Sequence, residues 1–256
     1  MNTTWSNRGA VMSNKIIVGV LASMAGGYDN MVRACRETCY SESAMPKDVS
    51  VFYIYGNTPD YEAISPGTCT SLKGDCFYHN YPETRENIIY KTIAFFEYCV
   101  NNLEFDYIYR PNCGSYINLD ILCKIANTLP NKELYFGHQS LNKKLPAYAS
   151  GSGFMISRDL VEKIVLNKNR IIYPHHGHRF VMDDVSIGAM LTEIFNVDIV
   201  DAPIVDTNYE AIKSENFVFD PTCHHYYFQH TIDPRCLYEI HKYFLNHNST
   251  LPTGEQ

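Results

Sequence analysis

The 256-residue chain carries 21 Lys and Arg against 28 Asp and Glu, a formal net charge of -7. That acidic excess argues against a nucleic-acid binder, which needs a basic surface to meet phosphates. Hydrophobic residues make up 45% and charged residues 19%, the balance of a globular chain long enough to bury a core, and no apolar run nears the roughly 20 residues that span a bilayer.

Residues 1–14 lack the apolar centre of a signal peptide and read as a flexible leader. The run KIIVGVLAS at 15–23 is short, apolar and β-branched, a buried strand. The turn AGGYDN follows, with Asp29 or Asn30 placed to cap a helix reaching about Tyr40. Val49 to Tyr55 is a second buried strand closing at Gly56, and a short strand is expected at about Asp75 to His79. Thr84 to Asn101 has helical spacing through Ile88, Ile89, Thr92, Phe95, Phe96 and Cys99, with Thr84 as its cap. A third core strand is expected at Asp106 to Tyr109, and a helix at Asp120 to Thr128.

The second half is more irregular. Strands are expected at Leu134 to Gly137, at Ala147 to Ile156 (interrupted by glycines) and at Val197 to Val200, with helices at Arg158 to Leu166 and Asp184 to Thr192. Residues 248–256 read as a flexible tail. The alternation predicts an α/β fold, a mainly parallel central sheet flanked by helices, in one domain over 15–247.

Nine cysteines are scattered without a CxxC pair, so they read as reduced, mostly buried small residues. His175, His176 and His178 cluster in HHGH, and His224, His225 and His230 lie near one another. Without a carboxylate at metal-binding spacing these read as solvated loop histidines.

Open parallel sheets bind ligands beyond the carboxyl ends of their strands. Ala22-Ser23, Gly56 and Arg110 to Gly114 end there. Backbone amides near Gly26 and Gly27, with Arg36, are placed to meet a pyrophosphate, although a plain tight turn explains the glycines equally. GxGxxG and GxxxxGK[ST] are both absent. Asp183 and Asp184 precede a helix, where simple capping explains them, or one caps while the other faces a cleft and can take a proton from a hydroxyl. In YASGSGFMIS, Gly151 and Gly153 flank Ser152, a pattern for a bulge or for close approach of backbone to ligand.

Taken in order over about Ile16 to Phe244, these segments resemble the β-1,3-galactosyltransferase and Fringe family, glycosyltransferase family 31, with the GT-A fold. Arg36 and Thr38 match its R-x-T-W element, with Cys39 in place of Trp. Glu83, Asn87, Lys91 and Thr92 match D-x-Y-x-N-L-T-x-K-T. Pro146, Tyr148, Gly151 and Gly153 match P-x-Y-x-x-G-x-G-Y, and MDDVSIG resembles the E-D-V-x-x-G element that carries the family's base. In the family's K-x-D-D-D-x-F-x-N strand the acids bind Mn2+. Here Arg110, Tyr116 and Asn118 keep the outline, while Asn112, Cys113 and Gly114 replace all three acids.

The resemblance implies an inverting glycosyltransferase that takes a nucleotide sugar, foremost a UDP-sugar, and a glycan acceptor. Asp184 would be the base with Asp183 as its neighbour. Ser23, Arg36, Lys91, Arg110 and Asn112 would surround the donor, and Tyr148, Gly151, Ser152 and Gly153 would shape the acceptor pocket. No cofactor is expected to be required, because Mn2+ would find only His230, standing alone. The expected setting is cytoplasmic, in a microbe or virus, with neither nucleic acid nor a membrane span as partner. The alternative is a catalytically inactive GT-A domain that binds a glycan or a protein partner.

Overall fold

The computed structural model describes residues 14–58, 69–170, 182–228 and 232–250, with side chains through residue 247. Most of the expected leader, the end of the tail, His175, His176, His178 and His230 lie outside the described residues. In chain order the strands are β1 (Ile16–Leu21), β2 (Val49–Asn57), β3 (Thr70–Lys73), β4 (Cys76–Pro82), β5 (Tyr107–Pro111), β6 (Ser115–Ile117), β7 (Tyr135–Gln139), β8 (Ala149–Ser157), β9 (Ile199–Asp201), β10 (Val205–Thr207) and β11 (His225–Phe228). The α-helices are α1 (Tyr28–Glu37), α2 (Ile88–Asn102), α3 (Leu119–Ala126), α4 (Arg158–Leu166), α5 (Asp183–Ala189), α6 (Tyr209–Lys213) and α7 (Arg235–Thr250).

Eight strands form one sheet in the order β3-β4-β2-β1-β5-β8-β7-β9, and β10-β11-β6 form a second. The core of the large sheet, β4-β2-β1-β5, is parallel. Strand β8 runs antiparallel to both β5 and β7, which brings its start to the carboxyl ends of β1 and β5. Successive side chains of a strand point to opposite faces. Val18, Val20, Tyr107, Tyr109 and Met155 therefore join one core, with Met31 and Cys35 of α1. Ile17, Ile108, Phe154 and Ile156 join the other, with Phe95 of α2, Leu160 of α4 and Ile187 of α5. Covering both faces is what makes β1 and β5 read as continuous apolar runs.

Several boundaries differ from expectation. The chain turns through Gly26 and Gly27 at φ 64° and 84°, so α1 starts at Tyr28 with Gly27 at the cap. Asp29 thus stands in the first turn, where a negative charge favours the helix end. Helix α5 starts at Asp183 and gives way to a π-helical turn at Met190–Ile194. Strands β3, β6, β10 and β11 and helices α6 and α7 fell outside the periodic segments. Strand β6 has three residues, all buried, and so offers no alternation to read.

His224 and His225, expected in solvent, are 2% and 1% exposed. Burial pushes His224 down from 6.5 to about 4 and His225 well below its ordinary value. Both are neutral in the fold, whereas the unfolded chain protonates them near 6.5, so stability falls as pH drops from that value toward 4. The urea midpoint should decline across that window, and His224→Gln should weaken the decline if it folds. All nine cysteines are free, and Cys35, Cys39, Cys99, Cys113, Cys223 and Cys236 are buried.

Candidate active site

Strand β5 carries Arg110 and then turns outward at Asn112. The Cys113 N–H donates to Leu21 O (3.2 Å) and the Asn112 N–H to Ser152 O (3.3 Å), which ties the ends of β1, β5 and β8 together. Arg110 is 2% exposed, and a buried guanidinium requires partners. Its Nη1 donates to Gly151 O at 2.5 Å and its Nη2 pairs with Asp183 Oδ2. The Thr92 hydroxyl donates to the same carboxylate oxygen at 3.1 Å. The Arg110 side chain lies on the face that Ile108 and Phe154 share, 5.2 Å from the Phe154 ring.

Asp184, partly buried beside this pair, faces the bulged start of β8. The pairing of β7 with β8 slips between Gly137 opposite Phe154 and Gln139 opposite Ala149, so residues 150–153 bulge away from β7 while Gly153 stays paired with β5. The loop aims the Gly151 N–H at Asp184 Oδ2 (2.8 Å), while Asp184 Oδ1 accepts from the Val185 N–H (2.9 Å). Burial, and next the charge of Asp183, raise Asp184 to about 6, with Arg110 opposing. It is therefore a carboxylate at neutral pH, with proton affinity matched to accepting a hydroxyl proton. A Cβ at Gly151 would lie 2.8 Å from Asp184 Oδ2. Gly151→Ala should therefore displace the carboxylate, read as a shifted Asp184 carboxyl resonance by 13C NMR beside an unchanged circular dichroism spectrum.

A second ion pair closes the neighbouring corner. Lys91, 3% exposed, donates from Nζ to Ala22 O at 2.8 Å and pairs with Glu83 Oε1 at 2.5 Å. Glu83 Oε2 accepts from the Gly56 N–H at 2.6 Å. The pair thus joins the ends of β1 and β2 to α2. Ser23 follows Ala22, and its Oγ accepts from the Ala25 N–H. Ser152 is 3% exposed, and its hydroxyl has no partner among the described residues. Tyr148 is partly buried against α5, its Cβ 2.2 Å from where a Gly188 Cβ would stand. Gly153 lies opposite Pro111.

Two of the expected donor ligands need correction. Arg36 is absent from this edge. Helix α1 runs back from the carboxyl ends at about 1.5 Å per residue, which carries its last turn to Asp75 at the start of β4. There Arg36 makes bonds of 2.6 and 3.0 Å to Asp75 and stacks 4.1 Å over Tyr53. Arg110 is at the edge but lies within the fold, committed to Asp183 and Gly151. Sequence reading missed Asp75 as partner of Arg36, and Tyr135, whose hydroxyl accepts from the Ala149 N–H at 2.8 Å. The match of Glu83 and Lys91 to one motif was the signal for their pairing.

The residues replacing the family's acids do not fit a divalent cation. Asn112 Oδ1 accepts from the Gly114 N–H and the Ser115 hydroxyl at 2.9 and 3.1 Å. The Cys113 thiol is buried, which pushes it up to about 12, and Gly114 has no side chain. Hard cations want carboxylate oxygens. Among the described residues no group of three or more His, Cys, Asp and Glu is gathered for a metal.

Residues 127–203 match the family model of galactosyltransferases. The resemblance read from the sequence holds. The matched segment contains β7, the bulged β8 and the Asp183-Asp184 pair. Hydroxyproline O-galactosyltransferase GALT2 of Arabidopsis thaliana is 30% identical over 142 aligned residues, covering 48% of this chain and 20% of that protein. UDP-GalNAc:beta-1,3-N-acetylgalactosaminyltransferase 2 of Xenopus laevis is 23% identical over 138 residues, covering 47% and 27%. The chain thus spans about a fifth to a quarter of the curated relatives it matches. A glycosyltransferase involved in glycosylation of the major capsid of PBCV-1 superposes with a TM-score of 0.51 at 8% identity, over 90% of this chain and 99% of that one. The fold is the α/β GT-A fold expected from the sequence. No described helix is long and apolar enough to cross a membrane.

Proposed function

We propose that this chain is an inverting glycosyltransferase that moves a sugar from a UDP-sugar to a glycan hydroxyl without a metal ion. The observation that carries the reading is Asp184, a half-buried residue at the carboxyl edge of a GT-A sheet, its carboxylate held by the Gly151 amide and raised by burial to about 6. The acceptor O–H gives its proton to Asp184 as its oxygen bonds to the anomeric carbon. The bond from that carbon to the diphosphate breaks on the opposite side, and UDP leaves with the electron pair. The departing charge needs fixed donors. The turn of Gly26 and Gly27 after β1, exposed at Gly26, supplies them in this reading, with the buried Lys91 charge acting from beneath the edge rather than by contact. The galactosyltransferase match makes UDP-galactose the first donor to try.

UDP release from UDP-galactose and UDP-N-acetylgalactosamine, offered with a panel of glycoside acceptors, tests this. Turnover should persist in EDTA. Turnover lost in EDTA and restored by Mn2+ would overturn the metal-free part. We place the enzyme in a reducing, cytoplasmic setting on the strength of its free cysteines; fractionation of the source cells checks that placement.

One observation favours the alternative of an inactive glycan-binding or partner-binding domain. Arg36, Lys91 and Arg110 each already face a carboxylate, in Asp75, Glu83 and Asp183. That alternative predicts glycan binding with no UDP release, unaffected by Asp184→Asn.

A further inference from the structure

We infer that Arg110 and Asp183 are positioning residues for Asp184 and that neither touches the donor. The inference rests on the reading of Asp184 as the base. A continuous chain of bonds runs from the Thr92 hydroxyl to Asp183 Oδ2, from Asp183 to Arg110 Nη2, from Arg110 Nη1 to Gly151 O, and from the Gly151 N–H to Asp184 Oδ2. From Asp183 onward the chain closes on itself, because Asp183 and Asp184 are adjacent at the start of α5.

The chain does two things. It clamps the bulge of β8 through both the carbonyl and the amide of Gly151, so the amide that orients Asp184 stays aimed. It also places one negative and one positive group beside the base. Removing either leaves its partner buried without compensation. With Arg110 at 2% and Asp183 at 5% exposure, both are enclosed by protein, which is why a donor contact is not their role.

The charged and titratable groups facing Asp184 are Asp183 on its own helix, Arg110 from β5 and Tyr135 from β7, with Lys91 and Glu83 of the α2 corner beyond Asp183. Neutralising Asp183 and neutralising Arg110 should therefore move Asp184 in opposite directions. A purely structural role would damage both variants alike.

The test is a 13C NMR titration of the Asp184 side-chain carboxyl in wild type, Asp183→Asn and Arg110→Gln, run beside the pH dependence of kcat/KM for UDP release from UDP-galactose. The wild-type midpoint, about 6, should fall by about one pH unit in Asp183→Asn and rise by about one in Arg110→Gln. The acidic limb of kcat/KM should follow it, with kcat reduced tenfold or more in each. UDP affinity by calorimetry should stay within about threefold of wild type. Unmoved midpoints, or movement in the same direction, would overturn the inference. So would loss of UDP affinity beyond tenfold in either variant. The NMR titration needs no turnover, so failure of the base reading, seen as unchanged kinetics in Asp184→Asn, is separable from failure of the positioning. Should Arg110→Gln not fold, Arg110→Lys keeps the charge but not the two-pronged reach. It should lower kcat with little movement of the midpoint, and wild-type kcat in that variant would count against the inference.

Discussion

Replacing Asp184 with Asn is expected to lower kcat for sugar transfer by about 10^2- to 10^4-fold, the range a positioned general base supplies, while UDP affinity stays within about twofold. The amide keeps the size of the carboxylate and its oxygen can still accept from the Gly151 N–H, so the bulge of β8 should hold at the cost of the bond from the Val185 N–H. What it loses is the capacity to take the acceptor proton. Because Asp184 is raised to about 6, wild-type kcat/KM should climb with pH through that value and level off above it. The variant should lose that limb together with its rate. Steady-state kinetics from pH 5 to 8 reads both (the span is set by the midpoint).

The largest loss of stability is expected from Asp183→Ala, about 3–5 kcal/mol, the usual cost of stripping one partner from a buried ion pair. Arg110 would keep its charge beneath β8 with only Gly151 O to receive it, while the Thr92 hydroxyl would fall back on Ile88 O at 2.9 Å. Urea unfolding measures the difference. Arg36→Ala is the control. Arg36 and Asp75 are 40% and 41% exposed at their side chains, and solvent-screened pairs of this kind contribute roughly 0–1 kcal/mol. Comparable losses in the two variants would mean that the Arg110 pair is wetter than its burial indicates.

The legible part of the fold was the part in which local pattern and tertiary environment agree. Strands β1 and β5 are buried on both faces, as is β2 from Tyr53 to Gly56, so they appear as apolar runs rich in Ile, Val and Tyr, and their order with α1 and α2 follows from alternation. The bulge of β8 was visible in its glycines, and the Asp183-Asp184 pair in its spacing before a helix. Their meeting was not visible, because it depends on the antiparallel register that sets Pro111 opposite Gly153. Arg110 was misread for the same reason. At the end of a strand on the ligand edge an arginine looks like a donor ligand, and only strand parity and the partner on α5 show that it turns into the sheet. Arg36 was misplaced because motif matching gives a residue's neighbours in sequence, while helix length decides which end of the sheet it reaches. His224 and His225 looked like loop residues because the strand they open, β11, pairs only within a small sheet built from distant pieces.

The central claim is that the carboxyl edge around Asp184 inverts a sugar nucleotide unaided by metal. Proton NMR of the first product formed from UDP-galactose, recorded in EDTA with wild-type enzyme and Asp184→Asn, tests it most directly. The account predicts a product whose anomeric signal is β from the α-linked donor, formed by wild type and absent with Asp184→Asn. An α product, or β product formed equally fast by Asp184→Asn, would contradict it.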